Sequence, residues 1–425
     1  MTHRFASIDE ANTAVAHELG SAQPVLVDVV QAHDVIPELD TDHPALLHAG
    51  TPLAWEHFPA PMQGACIGAA LFEGWAQDED EARRLLETGG VTFHTCHSVG
   101  AVGPMGGITS AHMAMIVVEN RARGNRAYST MNEGIGKVLR FGAFDAEVRE
   151  RLAWMRDVLG PSLSAALAQT EDGYPLAPLM ARAITMGDEF HQRNIAASAL
   201  FAKDMAPLLA RADVARDALE EVCDFLGRTD QFFLNLAMAA SKSAADAAQA
   251  IGEGSVVTAL SRNGYEFGIR VAGLGDRWFT APVNTPQGLY FTGYDQSQAC
   301  PDMGDSAIVE TCGLGGMAMI AAPGVTRFVG AGGFDDALAT SEEMAEIVVG
   351  HNPAMPIPTW DFQGTAVGID VRKVVETSIT PIINTGIASL EPGVGQIGAG
   401  TVRAPLGCFT QALEALAEEY GVDQR

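Results

Sequence analysis

Apolar positions change period twice along this chain. In the first third, short runs rich in branched residues alternate with helical patterns. PVLVDVV (24–30) and PALLHAG (44–50) predict buried strands, and so do VTFHTCH (91–97) and AMIVVEN (114–120), with ARGNRAYS (122–129) as a hairpin return. Ser7 with Glu10 forms a capping box before a helix reaching about Leu19. PMQGACIGAALFEGWA (61–76) is a helix with small residues on one side, and Asp78 caps another that Gly89 or Gly90 closes. SVGAVGPMGGITS (98–110) is a Gly/Pro loop between strands.

Residues 145–250 are different. Apolar residues recur at three and four, and only four of the 45 glycines fall here, so this stretch predicts a helical domain. From Ser255 the texture shifts to short strands: SVVTAL, EFGIRVAG, RWFTAPV and GLYFTG. DDALATSEEMAEIVVG (335–350) is a helix capped near Thr340 or at Asp335, and APLGCFTQALEALAEEYG a C-terminal amphipathic helix. The expected class is α+β: a mixed α/β part over 1–142, an all-helical domain over 143–252, and a Gly-rich α+β domain over 253–425 that packs against the first.

Composition narrows the function. Of the 425 residues 47% are hydrophobic and only 19% charged, and the formal net charge is −27. No basic tract of nucleic-acid type occurs. A chain this acidic repels anions at long range, so an anionic substrate needs a local cationic pocket. The six cysteines form no CxxC pair and read as reduced thiols. The N-terminus has no apolar signal core, and no run of about 18 apolar residues exists to span a membrane, which places the chain in the cytoplasm.

Candidate chemistry centres on TMGDEFHQRN (185–194). Asp188 reads as the N-cap of the apolar run that follows, with Glu189 and Arg193 four apart on one helical face and His191 and Asn194 three apart on the next. The plain alternative is a capped helix start with one surface ion pair. A second group lies between 261 and 333: Arg262, Asn263, Arg270, Arg277, Trp278, Asn284, Thr285, Asp302, Asp305, Ser306, Glu310 and Arg327. Arginine among glycines and small apolar residues is costly unless it is paired or holds an anion. The structural alternative is a set of Arg–Asp and Arg–Glu pairs bracing loops. Gly-rich segments recur at 101–110, 310–319, 329–333 and 393–405, the last with Gln396, Thr401 and Arg403 as side-chain donors. None fits a P-loop or a GxGxxG fingerprint. His94, Cys96, His97 and His112 match no zinc spacing and read better as strand-end and loop residues. No Ser-His-Asp or GxSxG signature is present.

Long irregular strings carry a resemblance over nearly the whole chain. GPMGGITSAHMAMIVVEN, NEGIGKVLRFGA, ITMGDEFHQRNIAASAL, TDQFFLNLAMA, RWFTAPVNTPQGLYFTGY, CPDMGDSAIVET, MIAAPGVTRFVGAGG, TPIINTGIA and GQIGAGTVRAPLGCF closely resemble the YlbE/AllG family. The resemblance implies one subunit of the oxamate carbamoyltransferase assembly of anaerobic allantoin breakdown. Its implied companions are an FdrA-like subunit, related to the succinyl-CoA synthetase alpha chain, and a third small subunit. The implied reaction is oxalurate plus phosphate giving oxamate plus carbamoyl phosphate. The implied architecture is α+β with a helical insert. The chain lacks the STRT and HPxQ motifs of the aspartate and ornithine carbamoyltransferases; HNPAMP (351–356) is no match. The catalytic parts must therefore differ from theirs.

No residue roles carry over from the resemblance, so the chemistry sets them. Oxalurate and phosphate are two anions that must lie side by side, which needs several fixed cations or N–H groups. Arg262, Arg270, Arg277 and Arg327 are the expected anion grips, with Asn263, Asp305 and Gln396 in the same pocket and Thr401 and Arg403 beside phosphate. Donors aimed at the developing oxyanion contribute about 3–4 kcal/mol each, and Asn194, Asn284 and Thr285 are the candidates. The departing oxamate nitrogen must be protonated. His191, oriented by Asp188 or Glu189 and with Arg193 beside it, is the expected acid/base. No step requires a metal or an organic cofactor, although Mg²⁺ could accompany phosphate. Two other readings stand: a scaffold subunit whose FdrA-like partner does the chemistry, or carbamoyl transfer on another ureido acid. The expected partners are those subunits and small anions, in a homo- or hetero-oligomer.

Overall fold

The computed structural model describes residues 4–421. Its architecture is α+β, with helices packed on several small sheets. The N-terminal sheet has five strands in the order Ala101–Val102, Asn125–Thr130, Ala114–Asn120, Pro24–Gln31 and Tyr174–Pro175. The 114–120 and 125–130 pair is the expected hairpin, and the strand at 24–31 pairs antiparallel with it. The last strand comes from the helical segment, where two residues are too few to leave a periodic signal. Helix Phe233–Gln249 lies against this sheet and is buried along nearly its whole length, which its small alanine and serine side chains permit.

The N-terminal helix Ile8–Ser21 is capped as its sequence requires: Ser7 Oγ accepts from Glu10 N at 3.2 Å, and Glu10 Oε2 accepts from Ala6 N at 3.0 Å. Its buried Asn12 reaches the far end of the chain, donating to Ser255 Oγ at 2.8 Å and to Asp370 Oδ2 at 3.1 Å. One apolar core runs from Val15 through the helical segment to Ala399, so all three stretches of sequence share it.

In the C-terminal part the expected strands SVVTAL, EFGIRVAG, RWFTAPV and GLYFTG all form, and the departures lie beyond residue 300. A four-stranded antiparallel sheet runs Phe279–Pro282, Glu266–Val271, Val257–Asn263 and Met303–Gly304. Beside it lie a hairpin, Val348–Ile357 with Gln363–Ile369, and a three-stranded sheet of Gln287–Tyr290, Gln396–Arg403 and Ile382–Ala388. The Gly-rich stretch 393–405, expected as an anion loop, is therefore mostly strand. Its glycines serve close strand approach. A Cβ on Gly398 would sit 2.5 Å from Leu289 O, and one on Gly400 2.4 Å from Gln287 O. Helix Phe334–Glu346 starts after Gly333, whose N–H donates to Asp336 Oδ2 at 2.7 Å; neither Thr340 nor Asp335 caps it. Residues 348–350, expected at its end, begin the hairpin.

Arg262 lies fully buried in the strand 257–263. Its Nε and Nη2 donate to the two oxygens of Asp302 at 2.7 and 3.2 Å, and Nη1 donates to Gly304 O at 2.6 Å. The guanidinium is spent inside the protein, which is the structural alternative and not the expected anion grip. Arg262→Ala would strand the buried Asp302 carboxylate. It should cost roughly 3–5 kcal/mol in urea unfolding, while Arg262→Met with Asp302→Leu should recover most of that loss.

Candidate functional site

The segment between Thr185 and Ile195 is a wrapped loop, not the expected helix start. Gly187 (φ +98°) and Phe190 (φ +72°) turn the chain back on itself. Glu189 sits at the centre, fully buried. Its Oε1 accepts from the backbone N–H groups of His191, Gln192 and Arg193 at 3.2, 2.5 and 2.6 Å, and its Oε2 from Asn384 Nδ2 at 3.0 Å. Asp188 does cap the next helix, Ile195–Leu209, but from outside it, accepting from Ala196 N at 3.2 Å and Ala197 N at 2.7 Å. Asn194 donates to Gln231 Oε1 at 2.9 Å and ties the loop to the following helices. Glu189 and Arg193 therefore do not share a helical face; the carboxylate binds the backbone instead.

This wrapping aims the His191 ring. Nδ1 meets Glu310 Oε1 and Oε2 at 2.7 and 2.9 Å, and Nε2 meets Ser306 Oγ at 2.9 Å. The orienting carboxylate is Glu310, not Asp188 or Glu189, both of which hold the loop. With Glu310 accepting, Nδ1 carries the proton and the Nε2 lone pair faces the serine hydroxyl. Glu310 Oε1 also accepts from Gly316 N at 2.9 Å and Asn384 N at 3.1 Å. Ser306 and Glu310 come from one stretch, CPDMGDSAIVET. The strand Met303–Gly304 ends at Gly304 (φ +121°), and the short helix Ile308–Thr311 follows. A Cβ on Gly304 would lie 2.7 Å from Met105 N, so only glycine allows this turn. Asp305, beside Ser306, fixes the turn by accepting from Gly50 N and Gly103 N at 2.9 Å each, and from Ser261 Oγ.

Ser306 and His191 open into a cavity of about 370 Å³. Arg140, Arg193 and Gln396 line it from three parts of the chain. Arg140 Nε donates to Gly134 O at 2.8 Å, and burial pulls the guanidinium down to about 10. Arg193 Nε lies 3.4 Å from Asp188 Oδ1 without a hydrogen bond. A larger cleft of about 810 Å³ adjoins it and shares Ile135 and Gln231. Glu147, Glu150, Glu221, Asp224 and Asp230 are among its walls, so anions are repelled there and the smaller cavity is the better site.

The expected arginine nest does not form. Arg262 is neutralised by Asp302, with Nη1 3.4 Å behind Ser306 Oγ. Arg270 lies 3.5 Å from Asp276 in a separate cleft of about 290 Å³ with His97 and Lys242, its guanidinium 4.5 Å over Trp278. Arg277 and Arg327 are exposed, and Arg403 pairs with Glu343 at 2.6 Å. Asn263 buckles a turn, donating to Thr51 and accepting from Tyr265 N and Glu266 N. Asn284 is exposed and donates to Arg403 O at 2.9 Å; Thr285 lies on the same loop, and Thr401 is a strand residue paired with Gln287 and Asn384. Of the residues singled out in the sequence, His191, Arg193, Ser306 and Gln396 line the cavity, with Asp188, Glu189, Asn194, Asp305 and Glu310 bracing it. Arg140, as a cavity arginine, had no sequence cue: it follows an apolar run like any surface cation. His97 faces Asp305 at 3.4 Å and His112 pairs with Glu73 at 2.5 Å. Among the described residues no three His, Cys, Asp or Glu side chains are grouped to hold a metal ion. Nor, among them, is any helix long and apolar enough to cross a membrane.

A hydroxyl, an imidazole and a carboxylate in series beside arginines are parts that can move a proton and hold an anion next to a reacting carbon. The family model described as oxamate carbamoyltransferase subunit AllG matches residues 91–306, and the chain belongs to that family. It is 62% identical over 418 residues to the oxamate carbamoyltransferase subunit AllG of Escherichia coli K12, covering 98% of this chain and 100% of the relative. It is 42% identical over 415 residues to the uncharacterized protein YahG of the same organism, covering 98% and 87%. A crystal structure of a conserved protein of unknown function from Enterococcus faecalis V583 superposes with a TM-score of 0.94 at 43% identity, over 97% of this chain and 99% of that one.

Two buried carboxyls near the cavity carry a pH dependence: Glu133, on the wall of the adjoining larger cleft, and Asp188, behind Arg193. Burial pushes the Glu133 carboxyl up to about 7 and Asp188 up to about 6. Both bind a proton more tightly folded than unfolded. Stability should therefore fall as pH rises from about 4.5 toward 7, by up to roughly 3 kcal/mol for Glu133. Glu133→Gln keeps an acceptor for Leu139 N, which now donates to Glu133 Oε1 at 3.0 Å. Its Tm should gain on the parent's as pH rises through that window. Parallel Tm curves for the two proteins would refute the assignment.

Proposed function

We propose that this chain is the subunit of a carbamoyltransferase that carries the phosphate-dependent cleavage of oxalurate to oxamate and carbamoyl phosphate, in allantoin and purine nitrogen catabolism in the cytoplasm. The supporting observation is the His191–Glu310 pair facing a small cavity with Arg140 and Arg193, in a chain close to a named oxamate carbamoyltransferase subunit.

The cavity suits the demands of that reaction. Oxalurate has a carboxylate for a guanidinium to grip and a ureido carbonyl to attack. Arg193, half-exposed on the His191 loop, is placed to hold the carboxylate. Arg140, buried and short of solvent, is placed against the charge that develops on the carbonyl oxygen. His191 Nε2 moves the proton, and Glu310 stabilises the imidazolium that results. Gln396 supplies an amide for the ureido group. Phosphate enters as substrate; neither a metal nor an organic cofactor has a role assigned here, and Mg²⁺ could accompany phosphate.

Ile135, Ile195, Phe291 and Phe328 rim the cavity, each between 38% and 48% exposed. Such a rim favours closure by another subunit, for which an FdrA-like protein is the proposed occupant, with a third small subunit in the same assembly. The alternative of a scaffold subunit does not account for a buried histidine bonded on both ring nitrogens beside a cavity.

The assay is phosphate-dependent release of oxamate from oxalurate by the chain together with its partners. His191→Ala should lower kcat by about 10²–10⁴-fold, with KM little changed. Arg193→Ala should instead raise KM for oxalurate. Full activity in both folded variants would remove the site from this cavity.

A further inference from the structure

We propose that Ser306 is a nucleophile that carries the carbamoyl group covalently between two half-reactions. This rests on the carbamoyl-transfer reading above and adds a residue and an intermediate to it.

Three observations carry it. The Ser306 hydroxyl lies 2.9 Å from the imidazole nitrogen opposite the one held by Glu310, which is the arrangement of an activated hydroxyl. Ser306 stands at a tight strand-to-helix turn pinned by Asp305, so its Oγ is buried yet lines the cavity. Behind it Arg262 Nη1, 3.4 Å from Oγ, donates a hydrogen bond to an oxygen that must become an alkoxide or a leaving group, although Asp302 offsets its charge. A histidine that only shuttled a proton to bound substrate would have no need of a fixed hydroxyl on its free nitrogen.

Charge points the same way. Arg140 and Arg193 are the only cationic side chains lining the cavity among the described residues. Two guanidiniums suit one small anion better than oxalurate and phosphate together in a chain of net charge −27. A covalent intermediate lets oxamate leave before phosphate enters.

The steps balance. Ser306 Oγ attacks the terminal ureido carbonyl carbon while its proton passes to His191 Nε2. The Oγ–C bond forms, the bond from that carbon to the oxamate nitrogen breaks, and the proton goes to that nitrogen. Oxamate departs and a carbamoyl ester remains on Ser306. An oxygen of hydrogen phosphate then attacks the same carbon and gives its proton to His191 Nε2. The new O–C bond yields carbamoyl phosphate, the Oγ–C bond breaks, and the proton returns to Ser306.

The test uses the full assembly. Radiolabelled carbamoyl phosphate is added without oxamate, the protein is quenched, and the label is mapped by peptide mass. In parallel, labelled oxamate is followed into oxalurate with phosphate absent. The expected result is one carbamoyl group on the Ser306 peptide, discharged by oxamate, with oxamate exchange that needs no phosphate. Ser306→Ala should lose label, exchange and turnover while keeping its circular dichroism and assembly. His191→Ala should suppress the label, whereas stray carbamoylation of amines by cyanate would persist in it. An assembly that cleaves oxalurate with Ser306 unlabelled, or with Ser306→Ala still active, overturns the serine and leaves the reading of function intact. An assembly inert to oxalurate but labelled at Ser306 by p-nitrophenyl carbamate overturns that reading and keeps the nucleophile. No label on Ser306 from either reagent overturns the nucleophile whatever the substrate.

Discussion

Two buried carboxylates, one bonded to the His191 ring and the other to the backbone of its loop, constrain this structure more than any other feature. An ionised carboxylate in an apolar interior is costly unless its lone pairs are met. Here Glu189 takes three backbone N–H groups from its own loop and one side-chain amide from Asn384. Glu310 takes His191, Gly316 N and Asn384 N. Asn384 thus touches both carboxylates, and the strand that bears it is central to their burial. The folding of the loop 186–194, the path of the strand 382–388 and the tight turn after Glu310 are three consequences of one requirement. Burial still pushes the Glu189 carboxyl up to about 7 against those donors.

Much of the fold was legible where one period ran long enough. Asp78 and Ser7 cap the helices they announce, and the strands at 24–31 and 114–120 lie where branched runs place them. The C-terminal strands from 257 to 290 were legible too, but the strand 396–403 was not, because QIGAGTVR spends alternate positions on glycine and so loses the apolar alternation that marks a strand. The loop around His191 was misread for a different reason. Its spacing fits a helix, and only the tertiary demand of Glu189 for backbone donors overrides it. The capping function of Asp188 survived this error, since its carboxylate accepts from N–H groups eight and nine residues downstream.

The site itself was half visible. Polar density in 185–194 pointed to His191, which does line the cavity, but the arginines of 261–333 drew attention for being improbable in an apolar setting. Most proved to be paired or exposed, which is what arginine does when it binds no ligand. Ser306 and Glu310 were on view four residues apart, yet nothing in one chain says that His191, more than a hundred positions away, closes the series between them. Arg140 comes from a third region. A cavity assembled from stretches this far apart has no local spelling, unlike a P-loop or a zinc motif, whose ligands lie on one continuous segment.

That assembly also bears on how anions reach an acidic protein. The charged walls of the broad cleft beside the cavity are mostly carboxylates and would turn a small anion away, while the mouth of the cavity is apolar. An apolar rim exerts no long-range pull, so capture must depend on Arg140 and Arg193 at short range, where a low dielectric strengthens them. A subunit seated on that rim would exclude water and raise the worth of both guanidiniums at once. Closing the mouth and holding the substrate would then be one event, and the rate of the reaction would depend on assembly as much as on any catalytic side chain.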